Sequence, residues 1–326
     1  MSPKVFNLAF LGSDEIALPV LRFLNDSCPQ INVSAILTQP DRRSGRGRQK
    51  SPNKIKKWAL GNLIPVESPE KPGDTECEWL SEKNIDIILV MAYGHILKRN
   101  FLEFAPAGCF NLHASILPKY RGASPIETAI AMGENETGVT LIRVIPKMDA
   151  GPIVDVQKVT ISSYDTGVSV RTKIGEACVP LMNKNIDSLC SGNNRELEQD
   201  STSASYCRKL KKEDGNLDFN FSAFELVNRI RAFESWPGCG FIWNSQKIRI
   251  GSAIAVENDW SLEPGDTYLD SNNIFYIGTK DGLLVPQKLQ RPGGKMLNVE
   301  DFFRGFDFPF GNKLESLEMN KLICLH

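Results

Sequence analysis

Along the first half of the chain, short apolar runs alternate with stretches in which apolar residues recur every three or four positions. Residues 5–12 (VFNLAFLG), 31–39 (INVSAILTQ), 85–94 (IDIILVMAYG) and 109–113 (CFNLH) read as buried strands, with a shorter one over 63–66. Between them, residues 14–24, 52–60, 75–83 and 97–104 read as helices. Strands separated by helices of about ten residues predict βαβ units, and so a mostly parallel, Rossmann-like α/β sheet. Sites in such sheets form beyond the carboxyl ends of the strands. Gly94 and His113 both fall at such ends.

The pattern then changes. Residues 138–145 (GVTLIRVI) and 153–161 (IVDVQKVTI) are strand-like and rich in β-branched side chains, and 166–190 is a long helical pattern. Residues 191–205 (SGNNRELEQDSTSAS) carry a single long apolar side chain, Leu197, and read as a polar linker. Beyond it, a helix over 223–232 precedes short strands separated by Gly, Asn and Asp. The segment FIWNSQKIRI (241–250) suits a hairpin turning near Asn244-Ser245. The expected organisation is an α/β domain over 1–190, a linker over 191–205 and a small β-barrel domain over 206–326.

Composition narrows the classes of function. With 326 residues, 41% hydrophobic and 24% charged, the chain can bury a substantial core. Its formal net charge of −1 gives no overall pull toward nucleic acid or an acidic membrane, so such a partner needs a local basic patch. The eight cysteines are scattered without a CxxC pair, which suits neither a zinc site nor a dense disulfide framework and points to reduced thiols in the cytoplasm. Asp14 and Glu15 end the first apolar run, and no run reaches eighteen apolar residues, so neither a signal peptide nor a membrane span is expected.

Three polar groups stand near predicted strand ends: Asn111, His113 and Asp149. Asn111 and His113 are two residues apart, so a strand aims both at one face. Asp149 lies between two later strands, in KMDAGPI, where a glycine permits close backbone approach. An amide, an imidazole and a carboxylate suit acyl transfer to an amine. The first two stabilise the oxyanion of a tetrahedral intermediate. The carboxylate takes a proton from the attacking ammonium or fixes the protonation state of the imidazole. No serine or cysteine nucleophile is required. By itself an Asn-x-His pair is structural more often than catalytic. Among the three histidines, His95 also follows a strand end and fits the imidazole's part, while His326 is the last residue.

The surroundings of the trio carry more. NLHASILPKYRGASPIETAI (111–130), with MDAGPI (148–153) downstream, resembles the folate-dependent formyltransferases. Their signature is an asparagine, a histidine two residues on, a Ser-Leu-Leu-Pro-like loop, and an aspartate further along. The resemblance implies that Asn111, His113 and Asp149 are catalytic and that Ser115, Ile116, Leu117 and Pro118 line the folate; Ile116 stands where leucine is commoner. It also implies 10-formyltetrahydrofolate as the donor, with its pterin near Met91, Ala92, Tyr93 and Gly94, and no metal.

The acceptor is read from residues 38–59, TQPDRRSGRGRQKSPNKIKKWA. Arg42, Arg43, Arg46, Arg48, Lys50, Lys54, Lys56 and Lys57 stand there with no acidic residue among them. Two glycines in RRSGRGRQ predict a flexible positive loop rather than a regular element. Such a loop suits the phosphates of an RNA end, although these residues alone fit a solvated surface loop equally well. QPDR-x-x-GRG resembles the loop by which the tRNA-acting branch of the family enters the acceptor end of initiator tRNA, and implies tRNA contacts at Arg42, Arg43, Arg46 and Arg48. SYCRKLKKEDGNLDF (205–219, with Lys209) and NRIRAFESWPG (228–238) resemble the start of that branch's C-terminal domain, an OB-type barrel. LLVPQKLQRPGGKMLNVEDFFRG (283–305) resembles its closing motif; the tail after Gly305 has no counterpart. Together these imply a cytoplasmic, monomeric enzyme that formylates initiator methionyl-tRNA. Two alternatives stay open: another folate enzyme, either a formyltransferase acting on an amino sugar nucleotide or purine precursor or a hydrolase releasing formate, and a non-catalytic RNA-binding relative.

Overall fold

The computed structural model describes residues 4–44, 49–258, 261–306, 308 and 310–324. Its chain divides into two units, one of Met1–Ala123, Glu136–Thr160 and Arg171–Tyr206, the other of Ser124–Asn135, Ile161–Val170 and Cys207–His326.

In the first unit, strands β1 (Phe6–Gly12), β2 (Ile31–Leu37), β3 (Arg42–Ser44), β4 (Gln49–Ser51), β5 (Val66–Glu67), β6 (Ile87–Met91), β7 (Gly108–His113), β8 (Arg121–Gly122), β9 (Glu136–Arg143) and β10 (Ile153–Thr160) follow one another. Helices α1 (Leu18–Asp26), α2 (Lys54–Gly61), α3 (Asp74–Ser81) and α4 (Arg99–Phe104) lie between them. Helix α5 (Pro125–Ala131) belongs to the second unit, and α6 (Gly167–Ser191) lies mostly in the first. The central sheet has seven strands in the order β10-β9-β7-β6-β1-β2-β5. From β7 through β6, β1 and β2 to β5 every pairing is parallel, and β9 and β10 add antiparallel pairs. The mostly parallel, Rossmann-like sheet expected from the alternation is thus present.

Local chemistry sets these boundaries. All five residues of β6 are buried, as a central strand covered on both faces requires. Helix α2 begins where the Asn53 side chain accepts from the Lys56 N–H. The short strand expected over 63–66 falls later, at Val66–Glu67, because Leu63 takes φ 57, a left-handed conformation that a strand does not use. The parallel strands β1, β6 and β7 end at one edge of the sheet, which brings Gly12, Met91 and His113 to the same edge.

Two expectations are corrected. The flanks of the basic segment form an antiparallel ladder, Arg42 opposite Ser51, Arg43 opposite Lys50 and Ser44 opposite Gln49. Ladder bonds use the main chain; the two glycines of the expected loop lie outside the described residues. Residues 191–205 do not hang free as a linker. The Leu197 N–H and carbonyl exchange hydrogen bonds with Ile153, 2.8 and 2.7 Å, and Glu196 pairs with Arg143 at 2.6 Å. Glu196 and Gln199 face polar partners there, while most of the other side chains in the stretch are exposed.

From Cys207, the second residue of β11 (Tyr206–Cys207), onward the chain belongs to the second unit, to which α5 also contributes. Helix α7 (Ala223–Ala232) starts with a capping box between Ser222 and Glu225. Strands β12 (Gly240–Trp243), β13 (Gln246–Val256), β14 (Thr267–Leu269), β15 (Phe275–Gly278), β16 (Leu283–Gln290) and β17 (Leu297–Asn298) form an antiparallel sheet in the order β12-β13-β16-β15-β14, with β17 beside β16. Asn244 and Ser245, both with positive φ, turn the β12–β13 hairpin as expected. After α8 (Val299–Arg304) the tail runs along this unit. Gly311 N–H bonds to the Thr267 carbonyl at 3.0 Å and Leu314 N–H to the Gly265 carbonyl at 2.8 Å. Leu317 N–H reaches the Leu217 carbonyl at 2.9 Å, and the described chain ends at β18 (Ile323–Cys324). Phe308, Leu314 and Leu322 are buried, and the Phe308 ring packs on Phe241, Trp243 and Phe275.

Candidate active site

Strand β7 carries Asn111 and His113 to the carboxyl edge of the sheet, on one face. Asn111 sits in register with Val90 and Ile142, and His113 with Thr140. The Asn111 amide is half-buried and makes no hydrogen bond among the described residues, so its donors are uncommitted. His113 is 6% exposed. Its Nε2 lies 2.9 Å from the Tyr120 carbonyl. A carbonyl only accepts, so Nε2 carries the hydrogen there and Nδ1 is the ring's other position.

Nδ1 faces Asp149, 3.6 Å from Oδ2, in a side chain only 16% exposed. The same Oδ2 accepts from the Gly122 N–H at 2.8 Å, while Oδ1 holds no hydrogen bond among the described residues. Asp149 has φ 49, a left-handed conformation that Asp adopts more readily than most residues. Gly151 follows because a Cβ there would collide with the Arg143 carbonyl. The loop between β9 and β10 therefore turns sharply and aims one carboxylate at one imidazole.

The loop after His113 is braced from within. The Ser115 hydroxyl donates to the Lys119 carbonyl at 2.7 Å, and Thr140 Oγ1 donates to the Ser115 carbonyl at 2.6 Å while accepting from the Leu117 N–H at 3.1 Å. Ser115 and Leu117 are buried; Ile116 and Pro118 are partly exposed. At the end of β6, Met91 and Tyr93 are buried, and Ala92 and Gly94 are exposed with positive φ. Ser13 donates through its hydroxyl to the Ala92 carbonyl at 2.9 Å, and Gln39 donates to the Tyr93 carbonyl at 3.0 Å.

His95 sits otherwise. Its ring packs edge-on against Tyr93, with centroids 5.0 Å apart, and its Nε2 is buried without a hydrogen-bond partner among the described residues. Burial, with the Arg42 charge adding to it and Glu70 opposing, holds the imidazole below its ordinary value. Among the described residues no ion pair with a carboxylate is found for it, whereas His113 has Asp149.

Of the basic residues, Arg42 is exposed and paired with Glu70 at 2.9 Å, and Lys56 is paired with Asp41 at 2.8 Å. Folding thus supplies acidic partners that the segment between 42 and 57 lacks. Arg43 keeps its place in the β3 ladder. Arg46 and Arg48 lie outside the described residues. Lys209 is exposed on the second unit. Among the described residues no group of three His, Cys, Asp or Glu side chains is gathered as a metal site would require, and no helix is long and apolar enough to cross a membrane.

Several groups at this site escaped the sequence reading: the Tyr120 carbonyl, the Gly122 N–H, Gln199 and Arg121. Gln199 donates from Nε2 to the Asp149 and Gly151 carbonyls at 2.9 and 2.7 Å. Its Oε1 accepts from the fully buried Arg121, 3.1 Å from Nε and 2.7 Å from Nη2. Main-chain groups leave no mark in a sequence, and Gln199 stands in a stretch whose polarity alone suggested solvent.

Comparison with known proteins gives a match to the formyl transferase family over residues 6–185 and to the formyl transferase C-terminal domain over 209–307. A methionyl-tRNA formyltransferase from Thermotoga neapolitana is 35% identical over 94% of this chain and 98% of its own length. One from Methylobacillus flagellatus is 36% identical over 91% of this chain and 96% of its own. Among solved structures, an N-formyltransferase from Helicobacter canadensis, in complex with folinic acid and dTDP-3-aminofucose, has the same fold. Its TM-score is 0.64 at 22% identity, over 88% of this chain and 100% of that one.

Proposed function

This chain belongs to the methionyl-tRNA formyltransferase family, and on that basis we propose that it transfers the formyl group of 10-formyltetrahydrofolate to the α-amine of methionine carried by initiator tRNA, giving N-formylmethionyl-tRNA for translation initiation. The observation that carries this reading is the Asp149 carboxylate, held by the Gly122 N–H with one oxygen toward His113 and the other unengaged.

In the proposed reaction the neutral amine attacks the formyl carbon. A C–N bond forms and the carbonyl π pair moves onto oxygen. Asn111 supplies one donor to that oxyanion from its uncommitted amide. His113 has its Nε2–H committed to Tyr120, so Nδ1, which faces Asp149, is the position through which the ring meets the reacting groups. Asp149 Oδ1 accepts the amine's proton. Collapse of the intermediate then breaks the bond to N10 of the folate, which takes the proton that Asp149 received and leaves as an amine, returning the carboxylate to its starting state.

Ser115, Ile116, Leu117 and Pro118, with Met91, Ala92, Tyr93 and Gly94, border the folate in this reading. Arg42, Arg43, Arg46, Arg48 and Lys209 meet tRNA phosphates. The protein works as a monomer in the cytoplasm. Identity to the Thermotoga and Methylobacillus enzymes along both domains supports a tRNA acceptor; the Helicobacter structure shares the fold alone. The test is to incubate the protein with 10-formyltetrahydrofolate and methionyl initiator tRNA, then deacylate the tRNA. Formylmethionine is expected. Its absence, with formylation of a dTDP-amino sugar instead, would replace the acceptor.

A further inference from the structure

The left-handed turn at Asp149 is braced by a side chain fifty residues later in the chain. Gln199 Nε2 spends both hydrogens on this loop, one on the Asp149 carbonyl and one on the Gly151 carbonyl. Its Oε1 takes two N–H groups from Arg121, whose guanidinium is fully buried and also reaches the Tyr206 hydroxyl at 3.0 Å. The orientation of the amide follows from its partners, since carbonyls only accept and a guanidinium only donates. Arg121 directly precedes Gly122, whose N–H holds the Asp149 carboxylate. One amide therefore ties together the two chain segments whose spacing sets the aim of Asp149 at His113.

We infer that Gln199 is a positioning residue for Asp149. A glutamine is the residue this junction requires, because it alone combines two donors and an acceptor at that length. A glutamate in its place still meets Arg121 but turns an oxygen toward two carbonyls, and the left-handed turn loses its brace. The carboxylate then drifts from Nδ1, while both substrate-binding surfaces remain.

The inference rests on the proposed formyl transfer, and the experiment separates the two. Formylation of methionyl initiator tRNA is measured for the wild type, Gln199→Glu, Asp149→Asn and the double variant, with thermal melting and folate binding recorded for each. Failure of the wild type to formylate removes the proposed function itself. With an active wild type, Gln199→Glu is expected to lower kcat about 10- to 100-fold, with KM for both substrates within about threefold and folate binding retained. In the Asp149→Asn background the same change should lower kcat less than threefold, since a residue acting through Asp149 has nothing left to aim. Gln199→Met, which keeps the length and removes every hydrogen bond, should reproduce the kcat loss. An unchanged kcat in Gln199→Glu, or an equal loss with and without Asp149, overturns the inference. So does a loss that merely follows a lowered melting temperature in both Gln199 variants.

Discussion

Replacing Asp149 by Asn keeps a side chain that tolerates φ 49 and still accepts from the Gly122 N–H, but removes the charge facing His113. In the proposed mechanism kcat should fall about 10²- to 10⁴-fold, as when a positioned general base is lost, with both KM values nearly unchanged. Turnover near the wild-type rate would remove Asp149 from the mechanism. His95 gives a prediction of another kind. Its value is 6.5 in an ordinary setting and lower when folded, through burial first and the Arg42 charge second, against Glu70. Between the folded value and 6.5 the unfolded chain therefore binds more protons. The contribution is fully present above 6.5 and is lost as pH falls through the folded value. Melting temperature should drop on acidification below pH 6.5, and His95→Gln should flatten part of that drop; parallel curves for the two proteins would count against it. Asn111, His113 and Asp149 were visible in the sequence because polar residues that close apolar runs stand out. What holds them was not. The Tyr120 carbonyl and Gly122 N–H belong to every residue type, and Gln199 bonds across a distance in sequence that no periodicity spans.

Elements were legible where burial wrote them. Strand β6 is apolar at every position because its sheet covers both faces, and the β12–β13 hairpin announced itself by two residues suited to positive φ. The β3–β4 ladder was hidden because its hydrogen bonds are main-chain and its side chains are those of a solvated loop. That ladder matters for the acceptor. It pairs the residues that flank the segment containing Arg46. The Arg42–Glu70 pair is exposed at both ends, and such pairs are worth little, about 0–1 kcal/mol, so a phosphate can displace Glu70. Each phosphate neutralised on a single strand adds about −0.7 to the slope of log affinity against log salt. Arg46→Ala should weaken tRNA binding and flatten that slope by about this amount, leaving folate affinity unchanged. Identical salt series for variant and wild type would remove the segment from tRNA recognition.

Across the whole chain, the tail after Gly305 was the least legible part, since nothing in its pattern marks a strand or helix. In the second unit it replaces missing regular structure. Phe308 fills a ring cluster with Phe241, Trp243 and Phe275, and Leu314 and Leu322 are buried as well. Burying one such side chain contributes about 1.5–3 kcal/mol. A chain ending at residue 307 should therefore show an earlier melting transition for the second unit, with folate binding to the first unit retained. An unaltered transition would make the tail a passive extension.

The bond from Gln199 to the Asp149 turn sets an order of events during synthesis. A ribosome adds about 5–20 residues per second, and domains fold from the N-terminus as they emerge. Asp149 therefore leaves the exit tunnel roughly 2.5–10 seconds before the side chain that braces it. Through that interval the nascent sheet can form while its carboxylate still lacks a fixed direction. An arrested chain ending short of Gln199 would be a folded precursor of weakened turnover, and the site would ripen only once that side chain has emerged.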